Sequence, residues 1–310
     1  MGDGTLGRAL RGGGLGLLCA LAVGAAPAHA QTPVATTTTP SAEGPATPIA
    51  PADPDATPPA APSTPATGPD VPEGPSTQTE RLYPGPTAKE AWVARVVAPT
   101  FAKARPWGAN RQAVEPRATW GGGVNQLLVL DTVEVVRDPR RPGDERVWVR
   151  VALPRRPNGS SGWIPADYLE ISRTRYRVHV STTHRLVQVF RDGRQVRRFR
   201  AVVGAPSTPT PHGLFAVNEE IRQPDPKAFL GPWALHLTAF SNVLDNYGGG
   251  PGRVAIHGRS GASLLDPLGT ARSHGCVRVA NVDVAWLATH LEPGVPVRIE
   301  AGLIRPGAPV

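Results

Sequence analysis

The chain is poor in cysteine, lysine and aromatic side chains, and each shortage narrows what it can be. Its 310 residues hold only two cysteines, Cys19 and Cys276, and Cys19 falls within a segment patterned like an export signal. Without that segment one thiol remains and no internal disulfide can form. A lone thiol in an oxidising compartment is either a reactive group or a small buried hydrophobe. Lysine occurs only at 89, 103 and 227, so nearly all the positive charge is arginine. There is no basic helix interleaved with aromatics, no Gly-rich nucleotide loop and no CxxC pair. Nucleic acid, nucleotide and structural zinc are therefore not expected as ligands, and no cofactor or metal is implied. No apolar run comfortably reaches the length of a membrane span.

Proline and glycine are in excess, at 36 and 34 residues, and they are unevenly placed. In residues 1–30, Arg8 and Arg11 precede an apolar run from Leu15 to Ala26, and Ala28-His29-Ala30 offers a small-x-small cleavage site. That is the three-part pattern of a secretory signal, with cleavage expected after Ala30. The protein is then exported to the periplasm or cell wall, or tethered to the membrane if the signal is retained. Residues 31–80 carry 13 prolines, no Lys or Arg and few large apolar side chains. Such a segment lacks both backbone donors and apolar area for a core, and reads as a disordered, semi-extended linker. Six acids lie in this linker while the whole chain is at +8, so the remainder is more basic than the total. Long-range attraction to an anionic cell envelope is the preferred reading, with a generally solvated basic surface as the alternative.

Beyond the linker the patterning is that of a mainly β protein. Apolar or alternating runs at Trp92–Val96, Leu127–Leu130, Val133–Val136 and Val147–Val151 are separated by Gly- and Pro-rich breaks. They place a small β unit at 86–172. Its closing run, Gly162-Trp163-Ile164-Pro165-Ala166-Asp167-Tyr168-Leu169, resembles the last strands of bacterial Src-homology-3-like barrels, in which aromatic grooves bind wall peptides. That resemblance makes Trp163 and Tyr168 candidate ligand contacts, with core packing the alternative. A second unit spans 175–301, followed by a tail at 302–310. Tyr176, Val178 and Val180 alternate with Arg177 and His179, and Asp192-Gly193 signals a two-residue hairpin turn. One helix is expected near the end, capped by Asn281, with Val284, Leu287, Ala288 and Leu291 on one face and Pro293-Gly294 as its stop.

Chemistry concentrates in His257-Gly258 and in Ser273-His274-Gly275-Cys276-Val277-Arg278. A thiol attacks a carbonyl as thiolate, and an imidazole that takes its proton supplies that form. His274 lies two residues from Cys276 and would point to the opposite face of an extended strand. His257 ends the strand-like run Val254-Ala255-Ile256 and can approach Cys276 across paired strands, so it is the preferred base. Gly275 leaves room for close backbone approach, and amides around Gly275 and Cys276 are candidate oxyanion donors. His179, His184, His212, His236 and His290 read as surface or packing residues. Trp233 and Tyr247 are candidates for a substrate cleft or for the core.

This segment resembles the signature of L,D-transpeptidase catalytic (YkuD-type) domains, a His-Gly followed after a short loop by Ser/Thr-His-Gly-Cys. Thr208-Pro209-Thr210-Pro211-His212-Gly213-Leu214-Phe215 resembles a second element of that family. The resemblance implies a β-sandwich-like catalytic domain with short helices. It assigns Cys276 as nucleophile, His257 as general base and the Gly258 carbonyl as the group that orients the imidazole. Ser273, His274 and Gly275 would shape the pocket and oxyanion hole, and Arg278 would meet a substrate carboxylate. The implied reaction takes the L–D peptide bond of a peptidoglycan stem, releases D-Ala and passes the acyl group to an amine, with carbapenem acylation of Cys276 as a corollary. Two rivals share these residues: an L,D-carboxypeptidase that uses water as acceptor, and a non-catalytic wall-binding protein.

Overall fold

The computed structural model describes residues 82–136, 143, 145–247 and 249–308, so the expected export signal and the linker lie outside the described residues. The described residues form two large sheets in succession, with a short two-stranded pair beside the second. The first holds β1 (Ala91–Val96), β2 (Thr100–Lys103), β3 (Asn110–Val114), β4 (Gln126–Val136), β5 (Glu145–Ala152), β6 (Ser161–Pro165) and β7 (Leu169–Thr174). Its strand order is β3-β2-β6-β5-β4-β1-β7, antiparallel at every pairing. The core it wraps is apolar, built from residues such as Val96, Leu127, Val149, Val151 and Ile164. The runs at 127–130 and 133–136, separate in the sequence, belong to one strand, because the register shifts between Val129 and Asp131 instead of the chain turning. Strands β2 and β3 carry little apolar alternation and were not foreseen; β3 is an edge strand.

The second sheet holds β8 (Tyr176–Ser181), β9 (Leu186–Arg191), β10 (Arg194–Arg200), β12 (Gly213–Arg222), β13 (Trp233–Phe240), β14 (Arg253–His257), β16 (Val277–Arg278) and β17 (Pro296–Glu300). A short pair, β11 (Val203–Gly204) and β15 (Ala271–Ser273), lies beside it. The order β10-β9-β8-β17-β12-β13-β14-β16 mixes antiparallel pairs with parallel ones at β8–β17 and β14–β16. The β9–β10 hairpin turns at Asp192 and Gly193, both at positive φ (53° and 79°), which the primed two-residue turn requires. The sheet curls around one core shared by Val178, Phe215, Leu235, Ile256 and Val277, and α1 (Asn281–His290) closes it with Val284 and Leu287. Asn281 does not cap this helix. Ala280 holds that position without a side-chain bond, and Asn281 Oδ1 instead accepts from Arg259 N at 2.7 Å.

The two sheets meet along β12. Ala91, Leu128 and Ala152 of the first sheet bury Ala216 of the second, with Leu130 and Leu214 packed alongside. Two polar clamps flank this contact. Arg156 Nη1 donates to Ser241 O at 2.5 Å, and its Nη2 donates to Leu244 O and Pro251 O at 2.9 and 3.1 Å. At the other clamp, Glu219 of β12 accepts from the backbone amides of Trp120 and Gly121 at 3.2 and 2.5 Å.

Candidate active site

Strand β14 reads Arg253-Val254-Ala255-Ile256-His257, and its period of two decides the site. Val254 and Ile256 enter the core, so Arg253, Ala255 and His257 face the other way. The parallel pairing sets Ile256 beside Val277 and His257 beside Arg278, which puts Cys276 next to Ala255. On the far side, His236 of β13 is the cross-strand partner of Ala255, and Glu219 of β12 is the partner of His236. A small side chain, Ala255, is therefore the floor of a hollow. Cys276 and His236 flank it across the sheet, and Arg253 and His257 flank it along the strand. All four line one cleft of about 510 Å³.

The turn carrying Cys276 is held by its own short side chains. Ser273 is buried; its Oγ donates to Cys276 O at 2.5 Å and accepts from Gly275 N at 3.2 Å. Gly275 sits at φ 116°, which explains glycine there. Thr208 Oγ1 donates to Ser273 O at 3.1 Å, so the upstream Thr-Pro segment braces the turn from outside. Ser273 thus shapes the turn without lining the cleft. His274 lies at the rim, its Nδ1 3.2 Å from Tyr247 Oη and its ring 5.1 Å from the tyrosine ring. Tyr247 lines the cleft, whereas Trp233 packs against the core.

His257 is buried, with Nδ1 2.7 Å from Gly258 O. A carbonyl only accepts, so Nδ1 carries the hydrogen and Nε2 keeps its lone pair. Glycine at 258 is required by closeness: a Cβ there would lie 2.5 Å from Asn281 Oδ1. Burial, reinforced by the charge of Arg278, lowers the imidazole to about 4 against the hydrogen bond to the Gly258 carbonyl. The Cys276 thiol is pushed up, burial outweighing a backbone hydrogen bond at Ala255 and the charge of Arg278. The resting pair is therefore a neutral thiol and a neutral imidazole, where the sequence suggested a thiolate–imidazolium pair; burial penalises both charges. The thiol donates weakly to Arg253 O at 3.9 Å. No hydrogen bond joins Cys276 to His257 among the described residues. They are diagonal neighbours on the adjacent parallel strands β14 and β16 and line the same cleft.

Arg278 is engaged more than a free carboxylate receptor would be. Its Nη1 bonds Asp266 Oδ2 at 2.6 Å, and its guanidinium lies 4.9 Å over the Phe229 ring. Only its Nε is buried without a partner. Two residues that the sequence did not single out stand out more. His236 is no surface residue: it lines the cleft with Nδ1 buried and unpartnered, and burial, then the charges of Arg253 and His257, lower it to about 3. Arg253 has a side chain only 6% exposed, with Nε and Nη2 making no hydrogen bond. No group of His, Cys, Asp and Glu among the described residues is arranged to hold a metal ion.

Residues 175–299 match the sequence profile of the YkuD family, the L,D-transpeptidase catalytic domain. This part of the chain is thus similar to L,D-transpeptidase catalytic domains. A Bacillus licheniformis protein described as a candidate L,D-transpeptidase, YkuD, is 33% identical over 124 residues, 40% of this chain and 65% of its own length. The chain thus spans slightly less than two thirds of that relative. An L,D-transpeptidase structure from Mycobacterium smegmatis is similar at 18% identity and TM-score 0.32, over 50% of this chain and 91% of its own. One from Enterococcus faecium is similar at 20% and 0.31, over 40% and 49%. The assignment rests on the profile and the sequence match. Within the matched region, Cys276 and His257 are brought to one cleft, together with Arg278, His274 and the unforeseen Arg253 and His236.

Proposed function

We propose that the chain is an exported peptidoglycan L,D-transpeptidase in which Cys276 is the acyl-transfer nucleophile. The observation that carries this reading is the parallel β14–β16 pairing, which delivers Cys276 and His257 to one face and one cleft. The Cys276 thiol passes its proton to His257 Nε2 as sulfur attacks the carbonyl carbon of an L–D peptide bond. The C–N bond breaks, His257 returns the proton to the departing amine, and D-Ala leaves with a thioester behind. An acceptor amine then attacks the thioester, His257 takes its proton, and the thiol is restored. Gly275 N is committed to Ser273, so the Cys276 amide is the donor assigned to the oxyanion. A neutral imidazole suits this role, because proton transfer and attack proceed together without a buried ion pair at rest.

In this reading residues 86–172 are a Src-homology-3-like wall module, and carbapenems acylate Cys276 as mimics of the donor. Intact mass after incubation with a stem tetrapeptide or a carbapenem tests the core of it. Wild type gains the acyl mass and Cys276→Ala gains none; equal adducts on both proteins sink the thiol. Hydrolysis is the competing outcome of the same thioester. Product masses with and without an added amine separate transfer from L,D-carboxypeptidase activity.

A further inference from the structure

Arg253 is a buried cation whose local partners leave its donors unspent. Glu219 Oε1 is 3.6 Å from its Nη2, outside hydrogen-bond length. The Glu219 carboxylate is already taken by the amides of Trp120 and Gly121 and by Asn218 Nδ2 at 3.2 Å. Trp120 reaches over from the first sheet, its ring 5.2 Å from the guanidinium carbon. Glu219 and Trp120 thus fix where the guanidinium sits, while its Nε and Nη2 remain without acceptors at a cleft lined mainly by apolar groups. Buried donors left unpaired are costly, and a planar guanidinium matches one acceptor best, a carboxylate approached by two parallel N–H groups.

We propose that Arg253 is a specificity residue that binds a carboxylate on the acyl side of the donor's scissile bond, held in place by Glu219 and by Trp120 of the first sheet. The side follows from geometry and rests on the acyl-transfer reading above. Arg253 and His257 lie on opposite sides of Ala255 along β14, and Cys276 stands beside Ala255 between them. His257 hands a proton to the leaving amine, so the leaving residue lies toward His257. The retained acyl portion then extends toward Arg253. The ligand is a side chain ending in a carboxylate on the residue that forms the thioester, as in a diamino diacid.

The test uses the full chain and tetrapeptides whose third residue is meso-diaminopimelate, its side-chain amide or lysine, and a fourth peptide amidated at its C-terminus. Wild type is expected to favour the side-chain carboxylate over its amide by about 10- to 100-fold in kcat/KM, mostly through KM. In Arg253→Gln that preference collapses to within about threefold, and Arg253→Lys recovers part of it. Iodoacetamide labelling of Cys276 and the melting curve report whether each variant keeps its fold and thiol. If Arg253→Gln is misfolded, the wild-type comparison alone decides. A wild type indifferent to the side-chain carboxylate overturns the proposal. So does an Arg253→Gln preference that is unchanged, or one lost only against the C-terminal amide. A wild type that labels normally yet forms no thioester with any peptide overturns the transpeptidase reading instead.

Discussion

The core of the first sheet, from Ala94 and Val96 to Val149, Val151 and Ile164, is apolar throughout, whereas the cleft face of the second sheet withdraws Glu219, His236, Arg253, His257 and Arg278 from water within four neighbouring strands. The first arrangement is what burial of apolar area alone produces. The second opposes it, since each such group loses hydration and three of them, His236, Arg253 and Arg278, keep a buried nitrogen without a partner. A fold tolerates that where the groups are kept for a ligand, and it needs support from elsewhere. The first sheet provides it, clamping the 241–252 loop through Arg156 and Asn158 and seating Glu219 through the Trp120 loop. The comparison thus assigns framing to one sheet and chemistry to the other, and variants can separate the two.

The largest effect belongs to Cys276. Cys276→Ala removes the sulfur on which the covalent step depends, so product formation falls by at least about 10³-fold. Melting temperature holds or rises, because a partly buried polar thiol becomes a methyl. Turnover assays with a melting curve check both. A variant that keeps turnover would return the chemistry to some other group.

His257→Gln comes next, with a loss of about 10²–10⁴-fold expected for a removed general base. The wild-type pH profile sharpens this. The imidazole is lowered to about 4, so it is neutral and competent above that value and is lost to protonation below it. The acid limb of acylation should fall near pH 4, well below the ordinary histidine range. A limb at 6 to 7 would show that His257 is not desolvated as described. Alkylation by iodoacetamide, which needs the thiolate itself, should accelerate only at alkaline pH, because the thiol is raised.

How much of this was legible beforehand depended on sequence distance. Cys276, Gly275 and Ser273 lie in one tetrapeptide, and His257 ends a strand whose alternation is plain, so local pattern sufficed. The Asp192-Gly193 hairpin and the helix after Ala280 were visible for the same reason. Arg253 was one arginine among many in a basic chain. Its role comes from register, which sets Glu219 beside His236 and His236 beside Ala255 across three strands. Trp120 is about a hundred residues from Glu219, and no local signal announces a contact made between sheets. Asn281 misled because its amide oxygen was read as a helix cap, whereas the loop after His257 claims it.

Framing by the first sheet is tested at Arg156, which contacts no catalytic side chain. Arg156→Ala deletes three hydrogen bonds to the loop that carries Leu244, Tyr247 and Pro251 into the cleft. A looser loop costs binding before chemistry. KM should rise roughly 5- to 20-fold, with kcat within about threefold, in steady-state assays on a stem peptide. Equal loss in kcat with unchanged KM would mean that the first sheet acts on the reacting groups and not on the cleft wall.

The smallest expected effect isolates stability from activity within the second sheet. Glu220 follows Glu219 on β12 but pairs with Leu235, so it faces the core side, with Oε1 buried and unpartnered. Burial first, and the charge of Glu292 second, raise its carboxyl from 4.5 to about 8. The folded chain therefore holds this proton where the unfolded chain has released it. The stabilisation is fully present below about pH 4.5 and drains away as pH rises through 8. Glu220→Gln lacks the titration, so its melting temperature should stay flat over that window and exceed wild type by roughly 3–6 °C at pH 8. Activity should be unchanged, because the side chain is on the opposite face from Cys276. Melting curves at pH 5 and pH 8 check the sign: a variant that loses as much stability with rising pH as wild type would place the buried proton on some other group.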